Sequence, residues 1–496
     1  MRRAAMIAVA AVAALTAPGA ALAQVPGETP SPIPQDPLAT APIFTGSAAT
    51  PDPTEGQDVP RHPFMAPNGR SNIHDDAYQT DTYEWAGPLG HDLATTSALF
   101  MRECGSVTFD SRGRLVTVCV GLDKPVLAML NPHTLQVLAT MDLPPRNVGP
   151  NPFQDFSGGG YFYLDNRDRA VISAGNRHIL VVGETGGAGS PGFALERDYN
   201  VTAAVPDGDA LISALPDWQG RIWFASKKGV VGTIQPASGV VRSIDTGEPI
   251  GNSFAVDETG GVYIVTDKAM YRFDAPEGKP VVTWRRAYPN IGVTKPGQTE
   301  QGSGTTPTLI GRRYVTITDN ADPMDILVYK RGPDVLGRRL VCSQPVFAKG
   351  ASDTDQSLIA SQRSIIAENN YGYTGPASTM NGGVTSPGLE RVDLDGDGRG
   401  CHSVWRSNQR APSVVPKLSL RAGLVYTYTK PKRDDMTDAW YLTALDFDTG
   451  KTVYRRLAGT GFGYNNNYAP VTLAADGTAY VGVLGGLTTF RDAAPG

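Results

Sequence analysis

One phrase recurs about eight times along this chain of 496 residues: a short apolar run, a polar turn, and a second run rich in β-branched and aromatic residues. The copies start roughly 40 to 60 residues apart, which is the period of a β-propeller blade rather than of a helical or leucine-rich repeat. They span residues 107–121, 161–175, 211–226, 254–267, 306–319, 357–370, 416–429 and 470–483. We therefore predict an all-β fold, an eight-bladed β-propeller, with seven blades as the alternative if the copy at 161–175 is irregular.

Most copies are followed by a second hairpin, so each blade is predicted to have four strands. The last copy is followed only by a short run at 487–491, which leaves its sheet one strand short. We expect an upstream segment, residues 80–89, to supply that strand. An N-terminal strand then closes the last blade and leaves no exposed edge.

The N-terminal residues show a basic start, an apolar stretch and a small-residue finish at Ala21-Leu22-Ala23, which is typical of a signal peptide over residues 1–23. Residues 24–60 are crowded with Pro, Thr, Ala and Asp and predict a flexible linker. Residues 61–496 then form the propeller, with 61–100 as an N-terminal cap segment. We expect a secreted or periplasmic protein with no transmembrane anchor.

The net charge of the chain limits the expected partners. A net charge of -5 without basic runs makes nucleic acid an unexpected partner, and we expect a monomer.

Four cysteines in an exported chain predict two disulfides. Cys104 and Cys119 lie symmetrically about the turn at 111–113 and would be opposed across a hairpin, which leaves Cys342 and Cys401 to join neighbouring repeats.

The blade topology sorts the loops by face. Turns inside the hairpins read DSRG, DWQG, DETG, DTG and DGDG, which are ordinary turn sequences, and they lie on one face. Loops after the second strands and between blades lie on the other face and converge on the central channel, where we predict a polar ligand site. The ligand-binding candidates on that face are Asn320, Asn369, Asn370, Lys228, Lys268, Tyr371 and Asn466.

Three residues are the candidates for acid and base catalysis. Asp319 and Glu368 follow second strands on the loop-rich face, where a carboxylate could act as a base. His74 lies in the segment 72–78, which packs a histidine, two carboxylates and a tyrosine into a short stretch ahead of the first blade. Hydrolytic or lyase chemistry uses such groups, and an ordered cap with satisfied hydrogen bonds is the alternative interpretation.

Two groups of oxygen ligands could hold a divalent cation, for which calcium is the favoured ion. Asp393, Asp395 and Asp397 alternate as in a calcium loop, but no glutamate stands at the spacing that a full loop requires, and an ordinary hairpin turn is the alternative. Asn252, Asp319 and Asn320 are the candidates for a cation at the channel.

Three single-blade resemblances accompany these motifs. The stretch 251–267 resembles the repeat of gluconolactonase-like and strictosidine-synthase-like propellers, in which an asparagine at the position of Asn252 binds a central metal. The stretch 217–226 looks like the repeat of streptogramin-lyase-like propellers. The stretch 468–490 is similar to repeats of quinoprotein dehydrogenases, although the chain lacks the adjacent cysteine pair common in the alcohol type of that family.

These features together predict an exported propeller that binds a polar small molecule, a sugar or a lactone, at its loop-rich face and acts as a metal-assisted hydrolase or lyase. A non-enzymatic propeller that binds a glycan or a protein is the alternative from another class. A pyrroloquinoline-quinone-dependent dehydrogenase is a third hypothesis. The sequence contains no GxSxG, HExxH or phosphate-cradling glycine loop, which disfavours a serine hydrolase and a nucleotide-dependent enzyme.

Overall fold

The computed structural model describes residues 25–122, 124–146, 151–155, 157–187 and 189–493. It is an eight-bladed β-propeller, as the repeats predict, with the copy at 161–175 forming a regular blade. The predicted signal peptide over 1–23 lies outside the described residues. No helix within these described ranges is long and apolar enough to span a membrane.

Three strands precede the first complete blade: β1 (Phe44–Gly46), β2 (Thr82–Tyr83) and β3 (Ala94–Leu99). Blade 1 contains β4 (Glu103–Phe109), β5 (Leu115–Val120), β6 (Val126–Leu130) and β7 (Val137–Asp142). Blade 2 contains β8 (Tyr163–Leu164), β9 (Ala170–Ser173), β10 (His178–Thr185) and β11 (Gly192–Asn200). Blade 3 contains β12 (Leu211–Pro216), β13 (Ile222–Ser226), β14 (Val230–Gln235) and β15 (Val240–Asp245). Blade 4 contains β16 (Ala255–Val256), β17 (Val262–Val265), β18 (Ala269–Asp274) and β19 (Val281–Ala287).

The second half of the ring continues in the same order. Blade 5 contains β20 (Thr308–Ile310), β21 (Tyr314–Thr318), β22 (Asp325–Lys330) and β23 (Leu340–Pro345). Blade 6 contains β24 (Ile359–Ser361), β25 (Ser364–Glu368), β26 (Leu389–Leu394) and β27 (Cys401–Ser407). Blade 7 contains β28 (Lys417–Ser419), β29 (Leu424–Thr429), β30 (Ala439–Asp446) and β31 (Thr452–Thr460). Blade 8 contains β32 (Val471–Leu473), β33 (Ala479–Val483) and β34 (Gly486–Arg491), and the short 3₁₀ helices are Pro152–Gln154, Pro276–Gly278, Pro376–Thr379 and Phe462–Tyr464.

Burial explains why these sequences form blades. Inner strands such as β5, with the sequence LVTVCV, are almost wholly buried because each sheet is covered on both faces by its neighbours. Outermost strands alternate between exposed and covered positions, as in β15. Both predicted disulfides are confirmed: Cys104–Cys119 joins β4 to β5, and Cys342–Cys401 joins the outer strands of blades 5 and 6.

Blade 8 is closed by an N-terminal strand, but from a different segment than the one predicted. β3 pairs antiparallel with β34 and becomes the outermost strand of that blade. The predicted strand at 80–89 instead contributes β2, which pairs in parallel with β28 on the inside of blade 7. The difference follows from burial, because residues 80–83 are almost entirely covered whereas β3 is half exposed, as an outer strand is.

Residues 25–60, for which the composition predicts a flexible linker, run along the outside of the propeller in the structure. β1 pairs with β31, and Ile33 is buried in the core between blades 7 and 8. The Gln57 amide donates to the backbone carbonyls of Leu309 and Ala360 in blades 5 and 6. Backbone pairing and buried apolar contacts thus order a segment whose composition is poor in periodic apolar residues.

The segment 65–85, here termed the plug, runs around the inside of the ring at the end where the first two strands of each blade are joined. Its carbonyls accept hydrogen bonds from the innermost strands of blades 1, 2, 4, 5, 6 and 7, and the indole N–H of Trp85 donates to the innermost strand of blade 8. Written with the donor first and the acceptor carbonyl second, the pairs are Phe109 to Arg70, Leu164 to Ser71, Val256 to Ala77, Leu309 to Tyr78, Ala360 to Thr80, Leu418 to Asp81, and Trp85 to Leu473. The plug therefore occupies the central channel at the turn-bearing face.

Candidate functional site

The channel contains a cavity of about 330 Å³ between the plug and the loop-rich face. Its walls are largely apolar and come from blades 1, 6, 7 and 8 and the loops beside them. The apolar lining residues include Met101, Val118, Val120, Leu122, Phe153, Met380, Phe462 and Leu484. The predicted site face is therefore concave, but its pocket is less polar than the loop composition suggests.

Polar groups gather at the inner end of this cavity. One or two residues just ahead of the innermost strand in several blades line it, and the plug adds a histidine. These polar lining residues are Tyr161 of blade 2, Asn252 of blade 4, Thr306 of blade 5, Asp355 and Ser357 of blade 6, and His74 of the plug. An apolar pocket with a few convergent polar groups is the usual form of a small-molecule site.

One ring nitrogen of His74 is hydrogen-bonded, and the other has no hydrogen-bond partner among the described residues. Its Nδ1 lies 3.1 Å from Asp81 Oδ1 and 2.8 Å from Ser357 Oγ, and the Ser357 hydroxyl donates to Asp81 Oδ2 at 2.7 Å. A proton on Nδ1 satisfies this arrangement, because both neighbours can then accept or share it. Nε2 consequently carries the lone pair, and it is buried without a hydrogen-bond partner among the described residues.

This arrangement is not a serine-protease triad. In a triad the serine hydroxyl contacts Nε2 and the carboxylate contacts Nδ1. Here Ser357 and Asp81 both contact Nδ1 of His74. Ser357 therefore orients the imidazole rather than being activated by it, and the chemistry belongs to His74 Nε2.

Lys417 anchors the carboxylate that holds His74. Its ammonium donates to Asp81 Oδ1 and to the carbonyl of Ile73, and it lies 3.4 Å from Asp75 Oδ2. Burial raises the pKa of Asp81, but the charge of Lys417 and the hydrogen bonds from His74 and Lys417 outweigh this effect, so the pKa of Asp81 is lowered. Asp81 is therefore ionised at neutral pH and fixes the His74 tautomer.

Burial lowers the pKa of His74, and the nearby Asp81 only partly opposes this effect. The imidazole is thus neutral at pH 7, with a free lone pair on Nε2. A neutral histidine oriented by a carboxylate is a competent general base.

Asp355 is a second titratable group at the same end of the cavity. Its Oδ2 accepts from the Thr299 hydroxyl at 2.8 Å, and its Oδ1 is buried without a partner among the described residues. Burial raises the pKa of Asp355 to about 8, with Asp353 and Glu300 adding to the shift and the Thr299 hydrogen bond opposing it. Its carboxyl is therefore protonated at pH 7 and can donate a proton.

The predicted metal ligand Asn252 lines the cavity, where its Oδ1 accepts a hydrogen bond from the Tyr161 hydroxyl at 2.8 Å. Burial raises the pKa of Tyr161, so its hydroxyl stays protonated. The amide oxygen that a cation would use is already engaged by Tyr161.

The predicted catalytic carboxyls Asp319 and Glu368 are buried beside the channel but do not line the cavity. Burial raises the pKa of Asp319 to about 7, and its Oδ1 accepts from the backbone amides of Ala321 and Asp325. Glu368 accepts from Asn370, and burial raises its pKa well above the ordinary range. The structure therefore brings only His74, of the three catalytic candidates, into the cavity.

The predicted ligand-binding residues lie on the loop-rich face outside the cavity lining. The four asparagines are buried and tie loops together through backbone carbonyls: Asn320 to Val293, Asn369 to Ala351 and Pro387, Asn370 to Pro412, and Asn466 to Ala469. Lys228 and Lys268 are exposed at turns, and Tyr371 is half-buried. Their roles in ligand binding stay predictions.

The predicted calcium turn forms the outer hairpin turn of blade 6. Asp393 accepts from the Arg391 guanidinium at 2.8 Å, Asp395 contacts His402 Nδ1 at 2.8 Å, and Asp397 accepts from the Arg399 amide at 2.9 Å. Within the described part of the chain, no three His, Cys, Asp or Glu side chains gather in a group that could hold a metal ion.

Sequence reasoning did not single out Glu103 and Arg146, which both line the cavity on the blade 1 side. Glu103 begins the innermost strand of blade 1 and is partly buried, and Arg146 is buried and follows the last strand of that blade. A charged residue at the start of an otherwise apolar inner strand was the available signal for Glu103.

Comparison with known proteins gives limited support beyond the fold. No family model matches the chain. An uncharacterized protein of Archaeoglobus fulgidus is 29% identical over 323 residues, which is 58% of this chain and 62% of that protein, so the match spans less than two thirds of the relative's length.

Solved structures with some similarity include a streptogramin B lyase, with a TM-score of 0.38 and 10% identity over 78% of this chain and 93% of that one. BamB from Moraxella catarrhalis has a TM-score of 0.37 and 11% identity over 63% of this chain and 93% of that one. At such values neither similarity bears on function.

Proposed function

We propose that this protein is an enzyme that binds a small molecule with an apolar body in the channel cavity and uses His74 as a general base for hydrolysis or elimination. The observation that carries the proposal is that His74 lines the cavity with Nδ1 held by Asp81 and Ser357, while its Nε2 is buried without a partner among the described residues. Orienting one nitrogen and leaving the other bare is the arrangement that a histidine base requires.

The neighbouring groups supply the rest of a proton-transfer cycle. In hydrolysis, Nε2 takes a proton from water as the hydroxide attacks an ester or lactone carbonyl. In elimination, Nε2 takes a proton from carbon as the leaving group departs. The Asp81 carboxylate stabilises the resulting imidazolium, and the protonated Asp355 donates its proton to the departing oxygen.

The cavity walls refine the substrate class that the loops suggest. Val118, Val120, Phe153 and Phe462 offer apolar contact. The polar groups lie beside the plug and, with Glu103 and Arg146, on the blade 1 side. A lactone or ester with an apolar body fits this distribution better than a free sugar, whose hydroxyls would face apolar walls unpaired. The predicted export and the predicted divalent cation stay proposals, and assays with and without chelator separate the cation from the His74 chemistry.

The first experiment compares purified wild-type protein with His74→Gln on a panel of lactones and 4-nitrophenyl esters of increasing acyl length. We expect His74→Gln to lose roughly 100-fold to 10,000-fold in kcat/KM, which is the usual contribution of a general base. His91→Gln, an exposed histidine, is the matched control and should retain full turnover. Equal turnover of His74→Gln and wild type would disprove the role of His74, and binding without turnover by both would identify a binding propeller.

The pH profile of turnover tests the two roles together. Because burial lowers the pKa of His74, the acid limb should lie below pH 6.5. The basic limb should lie near pH 8, where Asp355 loses its proton. Asp355→Asn should lose most of its rate and the basic limb with it, and a basic limb that persists in Asp355→Asn would assign the acid to another group.

A further inference from the structure

Arg146 is a buried cation that is held mainly by backbone carbonyls. Its guanidinium donates to the backbone carbonyls of Asp155, Gly121 and Pro152, the last two at 2.9 and 3.4 Å. It makes no ion pair with any described residue, and its Nε is buried without a partner among them. The side chain lines the cavity.

The acidic neighbours of Arg146 balance its charge only in part. The Asp155 carboxylate lies 3.3 Å from Lys227 Nζ and attracts both Lys227 and Arg146, so one carboxylate serves two cations. Glu103 faces the same cavity, but its Oε2 accepts from Asn467 at 3.3 Å and its Oε1 is buried without a partner in the described residues. Two cations that share one carboxylate leave one positive charge unbalanced, and burying such a charge is costly, so a counter-ion is expected from the ligand.

Burial raises the pKa of Glu103 well above its ordinary range, against the smaller effects of Asn467 and Arg146. This shift favours the protonated form of Glu103, which offers an O–H donor rather than a negative charge. A neutral acid and an arginine that line one cavity are both hydrogen-bond donors, and an acceptor with negative charge satisfies both.

We propose, building on the function proposed above, that the cavity selects a carboxylate: Arg146 supplies the counter-charge, Glu103 donates a hydrogen bond, and the apolar body of the ligand lies along Val118 and Phe153. One guanidinium balances one negative charge. A phosphate group carries about -1.5 to -2 at pH 7 and would leave excess negative charge buried against an apolar wall. The substrate class is thus an apolar carboxylic acid that also bears the ester, lactone or leaving group on which His74 acts.

Gly175 of blade 2 makes the position of Arg146 possible. A Cβ at Gly175 would lie 2.6 Å from the Pro145 carbonyl oxygen and 2.7 Å from the Arg146 Cα, so the backbone would have to move. This close approach gives a way to displace the guanidinium without removing it.

The test is calorimetric titration of the full chain with two matched pairs of probes: 3-phenylpropanoate against 3-phenylpropanamide, and octanoate against octanamide. Wild type should bind each carboxylate at least about tenfold more tightly than its amide, the value of a charge-assisted hydrogen bond. Arg146→Met should abolish that preference. Glu103→Gln, which keeps a donor, should preserve most of it. Arg410→Met, which removes an arginine bonded to the Thr385 carbonyl outside the cavity lining, is the matched control and should leave the preference unchanged.

Two further variants keep the test decisive if Arg146→Met fails to fold. Arg146→Lys should retain part of the preference, because it keeps the charge but not the fork of donors. Gly175→Ala should weaken carboxylate binding, whereas Gly187→Ala, an open position, should not. Equal affinity for carboxylate and amide, or no binding of either carboxylate to wild type, would overturn the proposal. His74→Gln should keep the preference, so failure of the catalytic proposal and failure of this one are distinguishable.

Discussion

The two faces of the propeller use aspartate in opposite ways. On the turn-bearing face, Asp110, Asp165 and Asp217 share one pattern: Oδ1 accepts from the amides two and four residues on, and Oδ2 accepts from the arginine four residues on. Each turn thereby satisfies its own carboxylate. These groups stabilise hairpins and have no hydrogen-bonding capacity left for a ligand.

On the loop-rich face, buried carboxyls are left partly unpaired. Asp319, Asp353, Asp355 and Glu103 each have at least one buried oxygen without a partner among the described residues. Burial is the main cause of a raised pKa in all four, to about 7 for Asp319 and Asp353 and to about 8 for Asp355. Unpaired buried groups cost stability, and this face retains them around the channel.

The difference shows that hydrogen-bond satisfaction, rather than residue type, distinguishes structural from functional carboxyls here. Aspartate side chains stabilise the turn-bearing face, whereas buried and partly unpaired ones destabilise the loop-rich face. Removing a satisfied carboxylate should therefore destabilise the protein, and neutralising an unpaired one should stabilise it.

The largest expected effect comes from Lys417, which anchors the plug between the two faces. Lys417→Met leaves Asp81 and Asp75 buried without their cation and should lower the free energy of unfolding by about 3–5 kcal/mol. Urea denaturation of Lys417→Met and of the exposed control Lys451→Met measures the difference. If both variants unfold at the same urea concentration, the Lys417 network does not stabilise the plug.

A smaller loss is expected on the turn-bearing face. Asp217 Oδ2 accepts from Arg221 Nε at 2.7 Å and from Trp223 Nε1 at 2.8 Å, so Asp217→Ala should cost about 2–3 kcal/mol through lost charge-assisted bonds. Thermal unfolding compares it with Asp207→Ala, whose carboxylate is 96% exposed and should matter little. Unchanged stability of Asp217→Ala would break the contrast between the faces.

The smallest effect, and the one with opposite sign, is expected at Asp355. Burial raises the pKa of Asp355 in the folded state. The wild type therefore loses stability as the pH rises from the unfolded-state pKa of this carboxyl, about 3.9, towards its folded-state pKa of about 8. Asp355→Asn removes this loss and should be more stable than wild type by at least about 1 kcal/mol above pH 8, with little difference near pH 4. Melting temperatures across this range, with exposed Asp434→Asn as control, measure it. A difference independent of pH would contradict the shifted pKa.

Much of the architecture could be predicted from the repeats. Apolar runs such as VTVCV indicate inner strands, and the symmetric placement of Cys104 and Cys119 about one turn gives their pairing, because both signals are local. The sequence predicts the strand that completes blade 8 at residues 80–89, whereas the structure has it later in the chain, at β3. β3 pairs with β34 across almost the whole chain, and its own sequence does not specify that partner.

The candidate site was predictable only in part. His74 stood out because several reactive residue types cluster around it, and the structure places it at the cavity. The polar loops that follow second strands mark Asp319 and Glu368 as candidates, but neither lines the cavity. How far a side chain lies from the channel axis depends on how the blades pack. Arg146 carried no signal, since an arginine after a strand is usually an exposed one.

The sequence by itself determined the propeller fold, the disulfide pairs and the division of loops between two faces, because periodicity and turn residues act over short stretches of chain. It favoured eight blades over seven, and the structure has eight. Only the tertiary structure decided which polar groups meet. The plug brings His74 and Asp81 against Ser357 and Lys417, which lie more than 270 residues further along the chain. Closing the ring then determines which of these groups are satisfied and which stay unpaired, and that outcome depends on burial, which no local pattern encodes.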